Sequence, residues 1–132
     1  MQRSVGPVSA TVHVSSTPTT DRDMLLDELH KLYVSNPHMS TYADIHLVLD
    51  PFERQFNLWR NIARFYARTD FVMMLDVDFA LCTDFRSRVL GSDEVMKKLK
   101  EGRMALVVPA FEFLRQKDGL NASTFPTDKK VK

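Results

Sequence analysis

The sequence predicts an α/β domain, with a mostly parallel sheet flanked by helices. Three observations carry that expectation. Runs of strand length, apolar or alternating, recur four times. Stretches of helical period lie between them, and turn residues separate each run from the next. With 132 residues, 44% of them hydrophobic, the chain has material for one core and no more.

The first strand is expected over residues 7–14, where Val8, Ala10, Val12 and Val14 alternate onto one face. A Ser/Thr/Pro cluster follows as loop. Thr20 is the expected N-cap of a helix running to Tyr33, on which Leu25, Leu26, Leu29, Leu32 and Tyr33 fall in one sector at about 100° per residue. His30 and Lys31 sit near its end. Asn36-Pro37 breaks the chain, residues 45–49 form a second strand, and Asp50-Pro51 stops it. Residues 57–68 form a second amphipathic helix and 71–75 a third strand. Ser92 or Asp93 caps a helix reaching Lys100, with Val95, Met96 and Leu99 inward; Gly102 closes it, and residues 104–108 are a fourth strand. From Gln116 the chain turns polar and ends on charges. The expected division is therefore a domain over 1–115 and a polar tail or truncated continuation over 116–132.

Charge excludes several classes of partner. Eighteen basic residues against seventeen acidic give a formal net charge of +1, so no whole-chain field recruits nucleic acid, and any recognition by charge is local. Cys82 is the lone cysteine, which excludes an internal disulfide and reads as a structural thiol. No run approaches the roughly 18 apolar residues of a membrane span. His13, His30, His38 and His46 show no metal spacing and read as surface or core residues. Asn121-Ala122-Ser123 is an acceptor triplet for glycosylation, relevant only in the secretory pathway.

The residues that point to chemistry begin with Asp76 and Asp78, which follow five apolar residues. On an extended chain, positions i and i+2 point to the same side about 7 Å apart, so both carboxylates can converge on one cation. Ligands of open α/β sheets bind beyond the carboxyl ends of the strands. Oxygen donors suit Mn²⁺ or Mg²⁺, and two carboxylates leave positions for the oxygens of a diphosphate. The plainer alternative is one Asp capping a turn and one in solvent. On the second helix Asn57, Arg60, Asn61, Arg64 and Arg68 share a polar sector opposite Leu58, Trp59, Ile62, Phe65 and Tyr66. A solvated face is the ordinary reading for Arg64 and Arg68, while Asn57, Arg60 and Asn61 in the first turns are candidates to meet phosphate or sugar. Glu112, flanked by Phe111 and Phe113, is a weak candidate for proton transfer and otherwise a loop-shaping or substrate-positioning group.

Four segments together resemble one family. Gly6-Pro7-Val8-Ser9, Asn57-x-x-Arg60-Asn61-x-Ala63, Leu75-Asp76-Val77-Asp78-Phe79 and Leu106-Val107-Val108-Pro109-Ala110-Phe111-Glu112 look like glycosyltransferase family 49, which includes the glucuronyltransferase domain of the LARGE enzymes and fungal relatives. The resemblance implies a GT-A, Rossmann-like fold, a nucleotide-sugar donor (a UDP-sugar), Mn²⁺, inversion at the anomeric carbon and a glycan or glycoprotein acceptor. It assigns Asp76 and Asp78 to the metal and diphosphate, and Asn57, Arg60, Asn61 and Val77 to the donor. It also implies a Golgi-lumen setting with an anchor outside this chain; a chain complete as given would be cytoplasmic. Family members continue beyond the equivalents of Pro126 and Lys129 or Lys130 into a His-containing half, so the resemblance is to a partial domain.

Two other functions compete. A haloacid-dehalogenase-like phosphatase also follows a strand with an Asp-x-Asp motif, but favours Thr or Val where this chain has Ala80, and places the motif on an early strand. A nucleotide-sugar-binding remnant would bind metal and nucleotide without transfer.

Overall fold

The computed structural model describes residues 6–81, 83–110, 112–121 and 125. Cys82, Phe111, the Ala122-Ser123 portion of the acceptor triplet and the segment from Pro126 onward lie outside the described residues. The chain divides into two compact units, one within Val5–Leu75 and one within Asp76–Lys132.

The first unit is built on two parallel strands, β1 (Val8–Ser15) and β2 (Ala43–Asp50), in a register running from Val8 opposite Ala43 to Ser15 opposite Asp50. Parallel strands need a crossover, and helices α1 (Thr20–Ser35) and α2 (Pro37–Tyr42) supply it. The N-cap of α1 is Thr19 rather than Thr20: its hydroxyl accepts from the Arg22 N–H at 3.1 Å, and Asp21 and Asp23 in the first turn complement the helix dipole. Asn36-Pro37 does more than break the chain. The Asn36 side-chain oxygen accepts from the His38 and Met39 N–H groups at 3.0 and 3.3 Å, and Pro37 opens α2 with a φ suited to the first helical position. On α1 the half-buried residues are Arg22, Leu26, Leu29 and Tyr33, so Leu25 and Leu32, expected inward, lie outside that stripe, 50% and 52% exposed. The Tyr33 hydroxyl donates to the Ala43 carbonyl and ties α1 to the start of β2.

Helix α3 (Phe56–Phe65) follows β2 and packs chiefly on β1. It stops short of the expected Arg68, because the Tyr66 N–H bonds the Ile62 carbonyl and the Ala67 N–H then tightens onto Arg64. The link into it contains Arg54 at φ 61°, a left-handed conformation that costs a side-chain-bearing residue about 1 kcal/mol. Among the described residues Val14 alone is a buried apolar side chain, 4% exposed, on the face of β1 with Val8, Ala10 and Val12.

The second unit holds α4 (Phe85–Leu90), α5 (Asp93–Lys100) and a 3₁₀ turn (Gln116–Gly119). Each α-helix has a side-chain cap: Asp84 accepts from the Ser87 N–H at 3.2 Å, and Ser92 from the Val95 N–H at 3.4 Å. Asp93 and Glu94 at the start of α5, and Lys97, Lys98 and Lys100 at its end, follow the helix dipole. Gly102, at φ 73°, ends α5 in the left-handed conformation that glycine adopts without strain.

Two expected strands are corrected. Among the described residues, 71–75 and 104–108 pair with nothing, and their side chains are largely exposed, Met74 at 61% and Val107 at 89%. A strand is defined by its ladder, and an apolar run supplies the face of a strand but not its partner. The architecture is α/β with a two-stranded parallel sheet. No helix among the described residues is long and apolar enough to cross a membrane.

Candidate functional site

The candidate residues fall into two groups, one in each compact unit. In the first unit, Ser9, Thr11 and His13 point from β1 toward α3: Ser9 donates to the Ala63 carbonyl, Thr11 to the Trp59 carbonyl, and the His13 ring stacks on Trp59 at 4.7 Å. With Trp59, Ile62 and Ala63 turned inward, Asn57, Arg60, Asn61 and Arg64 are left together on the exposed face of α3. The expected polar sector is therefore present, except for Arg68. That residue lies beyond the helix, its guanidinium 2.5 Å from a carboxylate oxygen of Asp44.

In the second unit, Asp76, Val77 and Asp78 sit on a tight turn rather than at the end of a paired strand. The Phe79 N–H bonds the Asp76 carbonyl at 3.1 Å, an i to i+3 closure. The extended spacing expected for the two carboxylates is corrected accordingly. Asp is a strong turn former because its side chain competes for local N–H groups, so the same two residues that could leave a strand also bend the chain. All three side chains are exposed, and Val77 is entirely so, at 104%. Two carboxylates on one turn form a hard-oxygen donor set suited to Mn²⁺ or Mg²⁺ but not a complete shell. Among the described residues no group of three or more His, Cys, Asp or Glu could hold a metal ion.

Glu112 is exposed among the described residues, and its neighbour Phe111 lies outside them. The histidines expected as filler prove more specific. His13 Nε2 lies 3.1 Å from the Asp50 carboxylate, and His46 Nε2 lies 2.8 Å from the Ser9 hydroxyl with its ring 5.1 Å from Tyr66. The signal for them was the second face of β1, where Ser9, Thr11, His13 and Ser15 alternate against the valines and need polar partners from whatever covers them.

A family model described as glycosyl-transferase for dystroglycan matches residues 50–130. The chain belongs to this glycosyltransferase family. The matched segment begins at the last residue of β2 and includes both α3 and the Asp76–Asp78 turn, so both candidate groups are inside it. Sugar transfer in general terms, between a sugar donor and a glycan acceptor, is the chemistry of the glycosyltransferase family. No curated protein and no solved structure matches the chain.

Proposed function

We propose that the chain is the donor-binding part of a metal-dependent, inverting glycosyltransferase of GT-A type, taking a UDP-sugar as donor and a glycan hydroxyl of a dystroglycan-like glycoprotein as acceptor. The observation that carries this reading is the family match spanning both the Asn57/Arg60/Asn61 face and the Asp76–Asp78 turn. Asp76 and Asp78 are the ligands for Mn²⁺, with Mg²⁺ as the alternative ion. Arg60, beside Asn57 and Asn61, presents a guanidinium and two amides to phosphate and sugar oxygens, and planar Arg forks suit such oxygens. Val77 contributes its backbone and apolar side chain beside the donor. When bound, the ion supplies positive charge opposite the departing diphosphate. In the transfer itself the acceptor hydroxyl gives its proton to a general base while its oxygen bonds to the anomeric carbon on the side opposite the breaking bond; the nucleoside diphosphate leaves with that electron pair, so configuration inverts. The working compartment on this reading is the Golgi lumen.

Titration of the chain with UDP in the presence and absence of Mn²⁺ tests the proposal. Nucleotide binding is expected only with the ion, and Asp76→Ala and Asp78→Ala should each weaken it at least about tenfold, the loss of one charge-assisted ligand. Unchanged binding in both variants would sink the metal assignment. Hydrolysis of simple phosphomonoesters with no UDP binding would favour the phosphatase instead.

A further inference from the structure

β1 meets α3 through hydroxyl groups. The Thr11 hydroxyl donates to the carbonyl of Trp59 at 2.9 Å, and the Ser9 hydroxyl to the carbonyl of Ala63 at 2.6 Å. Each hydroxyl has a single proton. Since that of Ser9 goes to Ala63, the His46 Nε2 lying 2.8 Å away is the donor in its bond to Ser9. Ala63 belongs to the last turn of α3, where carbonyls run short of helical N–H partners, so Ser9 satisfies an acceptor that the helix itself leaves open.

The spacing of the two bonds makes them selective. Ser9 and Thr11 are two residues apart on a strand, roughly 6.6 Å. Trp59 and Ala63 are four residues apart on a helix, about 6 Å along its axis and nearly on one face. The two repeats agree to within about 1 Å. Because Thr11 meets the earlier helical residue and Ser9 the later one, they engage only with α3 running antiparallel to β1. Turning α3 by one residue would carry each carbonyl about 100° round the helix axis, and sliding it by one would displace each by about 1.5 Å; turning breaks both bonds and sliding stretches them. The His13 ring stacked on Trp59, with Phe56 edge-on to the same indole at 5.4 Å, continues this seam toward the start of α3.

We infer that Ser9 and Thr11 are positioning residues: they fix the rotation of α3 on β1, and with it the direction in which Asn57, Arg60 and Asn61 meet the donor. The second half of that statement rests on the donor-side reading of the helix face proposed above. Both residues precede the segment matched by the family model. Their role follows from the hydrogen bonds to α3.

The test uses Thr11→Val, Thr11→Ser and the double variant Ser9→Ala/Thr11→Val in the full 132-residue chain. Trp59 is the single tryptophan of the sequence, so fluorescence excited at the red edge, where tyrosine does not absorb, reads this seam alone. With far-UV circular dichroism unchanged, the double variant should leave Trp59 more open to acrylamide quenching and speed amide exchange in α3. Its affinity for UDP with Mn²⁺ should fall by about tenfold, within the worth of the two hydrogen bonds that hold α3 on β1. Thr11→Ser, which keeps the hydroxyl, should stay at the parent values where Thr11→Val does not. Quenching and exchange unchanged in the double variant would overturn the positioning of α3. Altered quenching with unchanged UDP affinity would overturn its connection to the donor. If the parent chain binds no UDP, the donor reading of α3 fails by itself; the quenching contrast between Thr11→Val and Thr11→Ser then upholds or overturns the positioning alone. The same single-variant contrast serves if the double variant fails to fold.

Discussion

The two compact units solve the same problem by opposite means. Within Val5–Leu75, order comes from pairing between residues far apart in sequence: a parallel ladder, hydroxyls of β1 on carbonyls of α3, and His13 on Asp50. Within Asp76–Lys132, the described order comes largely from neighbours: the turn at Asp76, the caps Asp84 and Ser92, the Glu94–Lys98 pair one helical turn apart, and Gly102. Non-local order is cooperative, so one lesion is felt throughout the unit. Local order is modular, and its lesions stay where they are made.

The largest effect should come from Val14→Asp, which places a carboxylate in the one buried apolar position described and should cost several kcal/mol. Hydrogen exchange would show protection lost across β1, β2 and α3 while α5 keeps its own; equal loss in α5 would break the comparison. Next, Asn36→Ala removes the side-chain cap that starts α2 where α1 ends, and should cost about 1 kcal/mol in a denaturant titration. Ser92→Ala in the other unit should cost about the same, but only the amides at the start of α5 should lose protection. Arg54→Gly works in the opposite direction. Relieving the left-handed residue before α3 should raise the melting temperature by the equivalent of up to about 1 kcal/mol, provided the extra freedom of glycine in the unfolded chain does not offset it. The smallest effect belongs to Lys98→Ala, whose exposed ion pair with Glu94 is worth about 0.3 kcal/mol and should lose even that in high salt.

The sequence was legible where local chemistry decides. β1, β2, α3 and α5 lie within a few residues of where alternation, helical period and caps put them, and Ser92 caps α5 as expected. Thr19 and Thr20 are chemically equal as caps, and only the backbone that precedes the helix chooses between them. Asn36-Pro37 shows in the sequence only as an interruption, because a helix as short as α2 has too little period to register. Residues 71–75 and 104–108 have the composition of strands, but composition cannot name the strand beside them. At the candidate site, the shared face of Asn57, Arg60 and Asn61 was legible from helical spacing. The turn at Asp76–Asp78 was not, since two Asp residues separated by one position serve a strand end and a turn equally well. The polar face of β1 shows that Ser9, Thr11 and His13 need partners, but those partners, like those of His46, are groups on other elements that no local pattern displays.

The register of the two strands also sets an order of events during synthesis. Every rung, from Val8 with Ala43 to Ser15 with Asp50, spans the whole of α1 and α2. As the chain leaves the ribosome, β1 emerges well before β2, the strand it pairs with. The two helices, closed by short-range bonds, can form before it does. Only once Asp50 is clear can the ladder close, and only after α3 follows do Ser9 and Thr11 meet their acceptors. During that interval β1 is a valine-rich ribbon that lacks β2 along its edge, the stage at which a chaperone or a slower ribosome would most change the yield of folded protein.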